Sequence, residues 1–287
     1  MAVAAVLAAG IAFAAPKRVL YVTHSAGFRH GSLEPSRDVM AQVAARIGFE
    51  LTATEDLSLI AAEPLRAFDV VFFFTSGELP LSDAQKRDLL EFVRAGKGFG
   101  GAHSATDTLY QWPEYGEMIG GYFDGHPWTQ VAAVDVEDPD HPAVRHFGNS
   151  FQLLEEFYQF REFSRDRVRV LATLDTRSVN LRAEGVNRTD EDFALAWVRP
   201  YGTGRVFYTA FGHFDETWRD PRFQKMLEGA LAWLGGEAPG EGAPRRSKPA
   251  VTRVAGLGSP ADGVIAPGSL VEIADRKSTR LNSSHRL

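Results

Sequence analysis

Short apolar runs alternate with longer amphipathic segments along the first hundred residues. Residues 18–23, 49–54 and 69–74 are rich in β-branched and aromatic side chains, which is typical of strands buried in a sheet. Residues 34–47 and 82–94 carry apolar positions at helical spacing. This alternation with short connections predicts an α/β fold with a doubly wound, mostly parallel sheet flanked by helices.

The helix predicted to end near residue 94 is followed by a strand that consists mainly of glycine. Its start has the capping-box pattern of Ser82 and Gln85, and Gly96 suits its C-terminal end. The glycine-rich strand, 98–102, leads directly into His103 and Ser104, and the small residues around them permit a sharp turn from strand to helix. Open α/β sheets bind ligands at the carboxyl ends of their strands, so this turn is predicted to lie at the binding edge.

The second half of the chain predicts further strands and one helix. The strands are predicted at 129–136, 168–173, 193–198 and 205–210, and the helix at 221–234. The tight turn at 201–204 joins the last two strands as a hairpin, which gives the sheet an antiparallel extension. Residues 112–128 mix aromatic residues with glycine and proline and predict a surface loop that lines a pocket. Trp112, Tyr115 and Trp128 either pack beneath this loop or stack against sugar rings.

The two ends of the chain differ in composition from residues 17–236, which are predicted to form the α/β domain. Residues 1–16 are apolar and end in small residues, which predicts a signal segment and export to the periplasm or the extracellular space; the stretch is too short for a stable membrane span. Residues 237–250 predict a linker rich in glycine, proline and glutamate. Residues 251–275 resemble the opening strands of a truncated β module, and 276–287 resemble a non-native tail.

Charge and cysteine content exclude some classes of function. The net charge is -6 and no run of lysine or arginine is present, which argues against nucleic acid as a partner and favours a small polar ligand. The chain has no cysteine, so disulfides, thiolate metal ligands and a cysteine nucleophile are excluded.

Side chains capable of chemistry follow several of the predicted strands. They are His24 and His30 after the first strand, His103 and Ser104 after the fourth, Glu155 and Glu156 before a later strand, and His213 and Asp215 after the last. Residues that follow strands one and four of a parallel sheet can share one edge, so we expect the loops that carry His24, His30 and His103 to converge. Glu155 and Glu156 are adjacent, and on a strand only one of them can face the site; the other is expected to be solvated.

This set of residues supports three interpretations. Neutral imidazoles with a carboxylate suit a divalent metal such as zinc, although no compact zinc motif is present. A carboxylate that orients a histidine also suits acid–base catalysis by a pair among His103, Glu156 and His213. The third interpretation is ordinary hydrogen-bonding histidines. Ser104 is expected to cap the following helix rather than to act as a nucleophile.

The order of four motifs resembles the ThuA family, named for trehalose utilisation. The motifs are 28–32 (FRHGS), 98–107 (GFGGAHSATD), 156–158 (EFY) and 201–213 (YGTGRVFYTAFGH), within a resemblance that covers about 17–236. The family is similar in fold to the class I glutamine amidotransferases, which implies a flavodoxin-like sheet here. In those relatives the turn after the glycine-rich strand carries a nucleophilic cysteine, whereas His103 stands at the equivalent position, so glutamine hydrolysis is excluded.

The resemblance implies carbohydrate metabolism and a small-molecule carbohydrate ligand. We expect hydrolysis or isomerisation of a disaccharide or a keto-sugar, by acid–base or metal-assisted chemistry. The expected catalytic residues, which are also the candidate metal ligands, are His103, Glu156 and His213. The expected substrate-binding residues are His24, Arg29, His30, Ser104, Asp107, Trp112 and Tyr158. The alternative function is a non-catalytic carbohydrate-binding or assembly module.

Overall fold

The computed structural model describes residues 15–249, and these form a layered α/β domain. Its strands are β1 (Arg18–Val22), β2 (Glu50–Thr54), β3 (Val70–Phe73), β4 (Gly98–Ala102), β5 (Tyr122–Phe123), β6 (Trp128–Val136), β7 (Ser150–Phe157), β8 (Phe160–Arg161), β9 (Arg169–Leu174), β10 (Ala194–Tyr201) and β11 (Gly204–Thr209). Its helices are α1 (Leu33–Arg46), α2 (Ala62–Leu65), α3 (Asp83–Arg94), α4 (Pro113–Ile119), α5 (Asp215–Arg219) and α6 (Pro221–Leu234). Most of the predicted signal segment, the predicted β module and the predicted tail lie outside the described residues.

Nine of the strands form one sheet in the order β2-β1-β3-β4-β11-β10-β9-β6-β7. The first five of these pair in parallel, and the pairs from β11 to β7 are antiparallel. The predicted fold class, a doubly wound sheet with an antiparallel extension, is therefore confirmed. None of the helices in residues 15–249 is long and apolar enough to cross a membrane.

The glycines of β4 allow elements on both faces of the sheet to approach closely. A Cβ at Gly98 would lie 2.8 Å from the backbone oxygen of Leu234 at the end of α6. Gly101 faces the opposite side of the sheet, and a Cβ there would meet the side chains of Ala105 and of Ile119 in α4. Strand β4 is therefore held between α6 and α4, and its carboxyl end has a fixed position. The capping box predicted for α3 is also present, with Ser82 and Gln85 bonded reciprocally.

The prediction of a surface loop at 112–128 is wrong in part, because these residues contain α4 and β5. Proline at the first position of α4 costs no hydrogen bond, and Gly120 ends the helix in the left-handed conformation. Tyr115 is buried and stacks with Trp112, while Trp128 is buried against Phe193. These aromatic side chains pack in the core, which agrees with the interpretation that they are packing residues rather than platforms for sugar rings. The segment that follows β11 likewise continues into a short helix, α5.

The β6–β7 hairpin extends beyond the sheet and returns to the carboxyl end of β4. Only the last part of β6, Val134–Val136, pairs with β9, whereas β6 and β7 pair along their whole length. Five strand intervals separate β4 from β7, which would be roughly 24 Å in a flat sheet. In the structure a β7 carboxylate, Glu156, lies 3.8 Å from His103 after β4. The hairpin must therefore fold over the edge where the parallel strands end.

The residues that follow α6 contact the domain. The indole nitrogen of Trp233 donates to the carbonyl of Gly240 at 3.0 Å, and the guanidinium of Arg245 donates to the carbonyl of Glu137 at 2.8 Å. The linker predicted at 237–250 stays a prediction, and its described part has no helix or strand.

Candidate functional site

His103 occupies a sharp turn between β4 and a short 3-10 helix. Its φ of 47° is in the left-handed region, which is uncommon for a residue other than glycine and is often found at functional sites. The side chain has no exposed surface. Ser104 lies inside the same turn and is buried; the residue at the cap position is Ala102, so the capping role predicted for Ser104 is wrong.

Two hydrogen bonds define the state of the His103 imidazole. Nδ1 lies 2.9 Å from the carbonyl oxygen of Ala210, which can only accept, so Nδ1 carries the hydrogen. Burial, together with the neighbouring His30 and His213, holds the pKa of His103 well below its usual value, and the ring is neutral. Nε2 therefore accepts the hydroxyl hydrogen of Tyr158 at 2.8 Å.

Glu156 and His213 form the part of the site that reaches solvent. Glu156 Oε2 lies 2.9 Å from His213 Nδ1, and that nitrogen lies 3.2 Å from His103 Nε2. Burial raises the pKa of the Glu156 carboxyl, but the hydrogen bond and charge of His213 outweigh it, so the net shift lowers the pKa. The side chains of Glu156 and His213 are 13% and 22% exposed. A carboxylate and an imidazole in direct contact are thus available to a ligand.

Glu155 is buried rather than solvated, which corrects the sequence prediction. Its Oε2 accepts the backbone N–H of Gly212 and the hydroxyl of Thr217, each at 2.9 Å, and its Oε1 accepts the backbone N–H of His213 at 3.1 Å. Burial raises the pKa of Glu155 to about 7, partly opposed by the bond from Gly212. Adjacent residues of β7 therefore act on its two faces: Glu156 faces the ligand side, and Glu155 holds the loop that carries His213.

His30 completes a cluster of three imidazoles. Its ring lies edge-on to that of His103, with centroids 4.7 Å apart, and to that of His213, with centroids 5.4 Å apart. The loop after β1 that carries it is tied to the loop after β11, because Ser32 Oγ donates to the carbonyl of Gly212 at 2.9 Å. Burial lowers the pKa of His30 to about 3, so this ring too is neutral. One nitrogen from each of the three rings lies within 4.8 Å of the other two.

Aromatic side chains border the exposed part of the site. Phe28 is 45% exposed and its ring lies edge-on to that of His30. On the side of β5, Phe123 contacts Tyr158 and stacks with His126. The imidazole of His126 is 43% exposed, and its Nδ1 lies 3.8 Å from Glu156 Oε1. His126 and Phe28 were not among the predicted site residues, because both lie in loops without regular hydrophobic spacing.

The structure brings five of the predicted site residues into contact with one another, while four of the others have partners outside this cluster. The five are His30, His103, Glu156, Tyr158 and His213. The Arg29 guanidinium pairs with Glu55 and Glu34, and His24 Nδ1 bonds the carbonyl of Glu55. Asp107 accepts the hydroxyl of Tyr110 at 2.6 Å, and Trp112 is buried beside Tyr115.

Comparison with known proteins identifies the family and the fold. A family model described as ThuA, trehalose utilisation, matches residues 18–234. A ThuA-like protein from Bacteroides uniformis has 23% identity and a TM-score of 0.64, with 79% of this chain and 95% of that chain covered. A ThuA-like protein from Parabacteroides merdae has 18% identity and a TM-score of 0.62, with 83% and 98% covered. These two similarities show the fold.

A search of curated proteins by sequence found no match. The family match spans the whole sheet and all the residues of the cluster, and its description supports a role in carbohydrate metabolism. The chain belongs to the ThuA family of trehalose-utilisation proteins.

Proposed function

We propose that this chain is an enzyme that moves a proton on a keto-sugar or an oxidised disaccharide, with Glu156 as the base. The observation that carries the proposal is the contact of the Glu156 carboxylate with His213 at 2.9 Å, at the edge of the sheet where both side chains are partly exposed. The family description supports the carbohydrate class of the substrate.

The chemistry follows from the two groups in contact. A C–H bond next to a ketone is acidic enough for a carboxylate base when the developing negative charge on the carbonyl oxygen is stabilised. Glu156 would accept the proton, the C–H electrons would form a C=C bond, and a protonated imidazole at His213 or His126 would give a proton to the oxygen. Glu156 would then return the proton to the former carbonyl carbon, and the hydroxyl on the other carbon would give its proton to the imidazole, so that the ketone moves by one carbon and the isomerisation is complete.

The same intermediate can lead to cleavage of a disaccharide. Its electrons can expel a glycosidic oxygen on the carbon beyond the one that lost its proton, and addition of water to the resulting double bond completes a net hydrolysis. Both routes begin with proton abstraction. The proposal therefore rests on that first step.

The fixed surroundings of the pair support catalysis. His103 has no exposed surface, so it acts from behind the pair, where it contacts His213 and Tyr158. Glu155 accepts the N–H of His213 and holds its backbone in place. A base and an acid that are held by buried hydrogen bonds need little reorganisation when the substrate binds.

Hydrogen exchange tests the proposal. Incubated in D₂O with 3-keto-trehalose, the protein should exchange the C–H hydrogen next to the ketone, observed as loss of its NMR signal. Glu156→Gln should slow this exchange by on the order of 100-fold or more. Glu114→Gln, at an exposed position of α4, is the matched control and should exchange at the wild-type rate.

Two outcomes would contradict the proposal. Exchange at the wild-type rate in Glu156→Gln would remove the assigned base. Binding of keto-sugars or disaccharides in calorimetry, without exchange or cleavage, would instead favour the non-catalytic carbohydrate-binding module.

A further inference from the structure

We infer that the imidazoles of His30, His103 and His213 form a binding site for a divalent transition metal ion such as zinc, with Glu156 beside the ion rather than among its ligands. One nitrogen of each ring lies within 4.8 Å of the others. The inference does not rest on the proposed reaction, because metal binding is measured without a substrate.

The distances between the nitrogens are close to those that a metal requires. Zinc–nitrogen bonds of 2.0–2.1 Å place two ligands of a tetrahedral ion about 3.3 Å apart. His103 Nε2 and His213 Nδ1 are already 3.2 Å apart. Since the largest separation in the cluster is 4.8 Å, no nitrogen has to move by more than about 1.5 Å, the difference between 4.8 and 3.3. Small rotations of the side chains cover that distance.

The tautomer of His103 is the one that a metal ligand needs. Its Nδ1–H donates to the carbonyl of Ala210, so the lone pair on Nε2 points toward the other two rings. A backbone carbonyl that fixes the tautomer in this way is the usual outer partner of a metal-bound histidine. A metal at Nε2 would replace the hydrogen bond from Tyr158, whose hydroxyl would then be a donor next to the ion.

His30 provides the second, independent observation. The residue is 6% exposed, and its ring contacts His103, His213 and Phe74. Because these contacts hold the His30 ring against the other two imidazoles, one of its nitrogens is close enough to share a single ion with them.

The donor set indicates which ions would bind. Three neutral imidazoles suit zinc and neighbouring transition metals and bind magnesium or calcium poorly. Three ligands leave a fourth position for water or for the carbonyl oxygen of a substrate. A metal at His213 Nδ1 would replace the hydrogen that this nitrogen shares with Glu156 Oε2, 2.9 Å away. The freed carboxylate, 3.8 Å from His103 Nε2, would lie next to the fourth position, and His126 would then be the proton donor of the proposed reaction.

Metal binding to the full chain tests the inference. After treatment with a chelator and its removal, equilibrium dialysis against Zn²⁺ should give one bound ion per chain by elemental analysis. His30→Ala and His213→Ala should each weaken the binding by on the order of 100-fold. His24→Ala is the matched control, because His24 lies on the same loop as His30 and bonds Glu55; it should bind Zn²⁺ like the wild type. Circular dichroism checks that each variant is folded.

Two more variants separate this site from the proposed reaction and from other ligand sets. Glu156→Gln should lose hydrogen exchange and still bind one Zn²⁺, and Tyr158→Phe should also bind it. The absence of a stoichiometric ion in the wild type would overturn the inference. Wild-type affinity in folded His30→Ala, or loss of the ion in Glu156→Gln, would also overturn it, since either result would show a different set of ligands.

Discussion

The carboxylate of Glu155 accepts the backbone N–H of His213 at 3.1 Å, and the carboxylate of the next residue, Glu156, contacts the His213 side chain. His213 is thus held from two sides by two consecutive residues of one strand. Glu155 also accepts the N–H of Gly212 and the hydroxyl of Thr217, so it fixes the loop between β11 and α5.

Replacing Glu155 by glutamine should lower stability, whereas replacing Glu156 by glutamine should abolish hydrogen exchange with little effect on stability. Glu155→Gln places an amide group among four hydrogen-bond donors, since Oε1 also accepts the backbone N–H of Glu156, and we expect the free energy of unfolding to fall by about 2 kcal/mol or more. Glu156→Gln keeps an acceptor for His213, and we expect its free energy of unfolding to stay within about 1 kcal/mol of the wild type while hydrogen exchange is lost. Urea denaturation and the exchange assay measure both quantities. Equal stability of the two variants would show that Glu155 does not hold the loop.

The left-handed turn at His103 predicts a difference between two variants that both lack the imidazole. Alanine at φ 47° keeps the steric cost of a Cβ, whereas glycine does not have it. We therefore expect His103→Gly to be more stable than His103→Ala by about 1 kcal/mol in urea denaturation. A more stable alanine variant would mean that the turn relaxes to an ordinary conformation once the imidazole is removed.

Gly98 should tolerate no side chain. A Cβ there would lie 2.8 Å from the backbone oxygen of Leu234, so α6 would have to move. We expect Gly98→Ala to lower the free energy of unfolding by about 1–3 kcal/mol. Gly31→Ala is the control, since a Cβ at Gly31 would have no atom within 4 Å, and its stability should be unchanged. A wild-type melting temperature for Gly98→Ala would contradict the close packing of β4 on α6.

Burial of His141 should make the fold sensitive to acid. Burial lowers the pKa of His141 to about 4, with Asp138 opposing the shift and Arg169 adding to it. In the unfolded chain the pKa is about 6.5, so between these values the unfolded state binds a proton that the folded state does not. Stability is therefore lost as the pH falls from about 6.5 to about 4, by roughly 3 kcal/mol for this group.

A variant at this position isolates the contribution of His141. His141→Asn keeps an acceptor for the N–H of Ala143, which His141 Nδ1 accepts at 3.3 Å, and cannot be protonated. The variant should be less stable than the wild type at pH 7, and the difference should shrink by roughly 3 kcal/mol at pH 4. Urea denaturation at several pH values measures this. A difference that stays constant with pH would show that His141 is not kept neutral by the fold.

Local patterns were sufficient to predict most of the elements. The reciprocal bonds of Ser82 and Gln85 and the proline that starts α6 at Pro221 are determined by neighbouring residues. The turn at His103 is also a local feature, because small residues precede and follow it. Helix α4 was missed, since it contains Gly116 and owes its stability to packing; a Cβ at Gly116 would overlap the ring of Tyr122. No sequence pattern within residues 113–119 indicates the contact between Gly116 and Tyr122.

The site could be predicted only in part, for a similar reason. Residues after parallel strands share one edge of the sheet, which is why His24, His30 and His103 were expected to converge; His30 and His103 do, whereas His24 bonds the carbonyl of Glu55. The approach of Glu156 depends on the fold of the β6–β7 hairpin over that edge, and strand order alone would place β7 far away. Glu155 was expected to be solvated because only one of two adjacent residues on a strand can face the site. In this protein α5 packs against that face, and Thr217 of α5 bonds the carboxylate.

The pairing of β7 with β6 makes the site sensitive to insertion or deletion of a single residue. Glu156 lies opposite Thr129 and Glu155 opposite Gln130, and β7 is the last strand of the sheet in the described residues. A slip of one residue would exchange the two faces of β7. The slipped strand would present a carboxylate to the ligand from the wrong position and leave the loop of His213 without its acceptor. A one-residue insertion or deletion in β7 before Glu155 would therefore leave both carboxylates in the chain and still produce an inactive site.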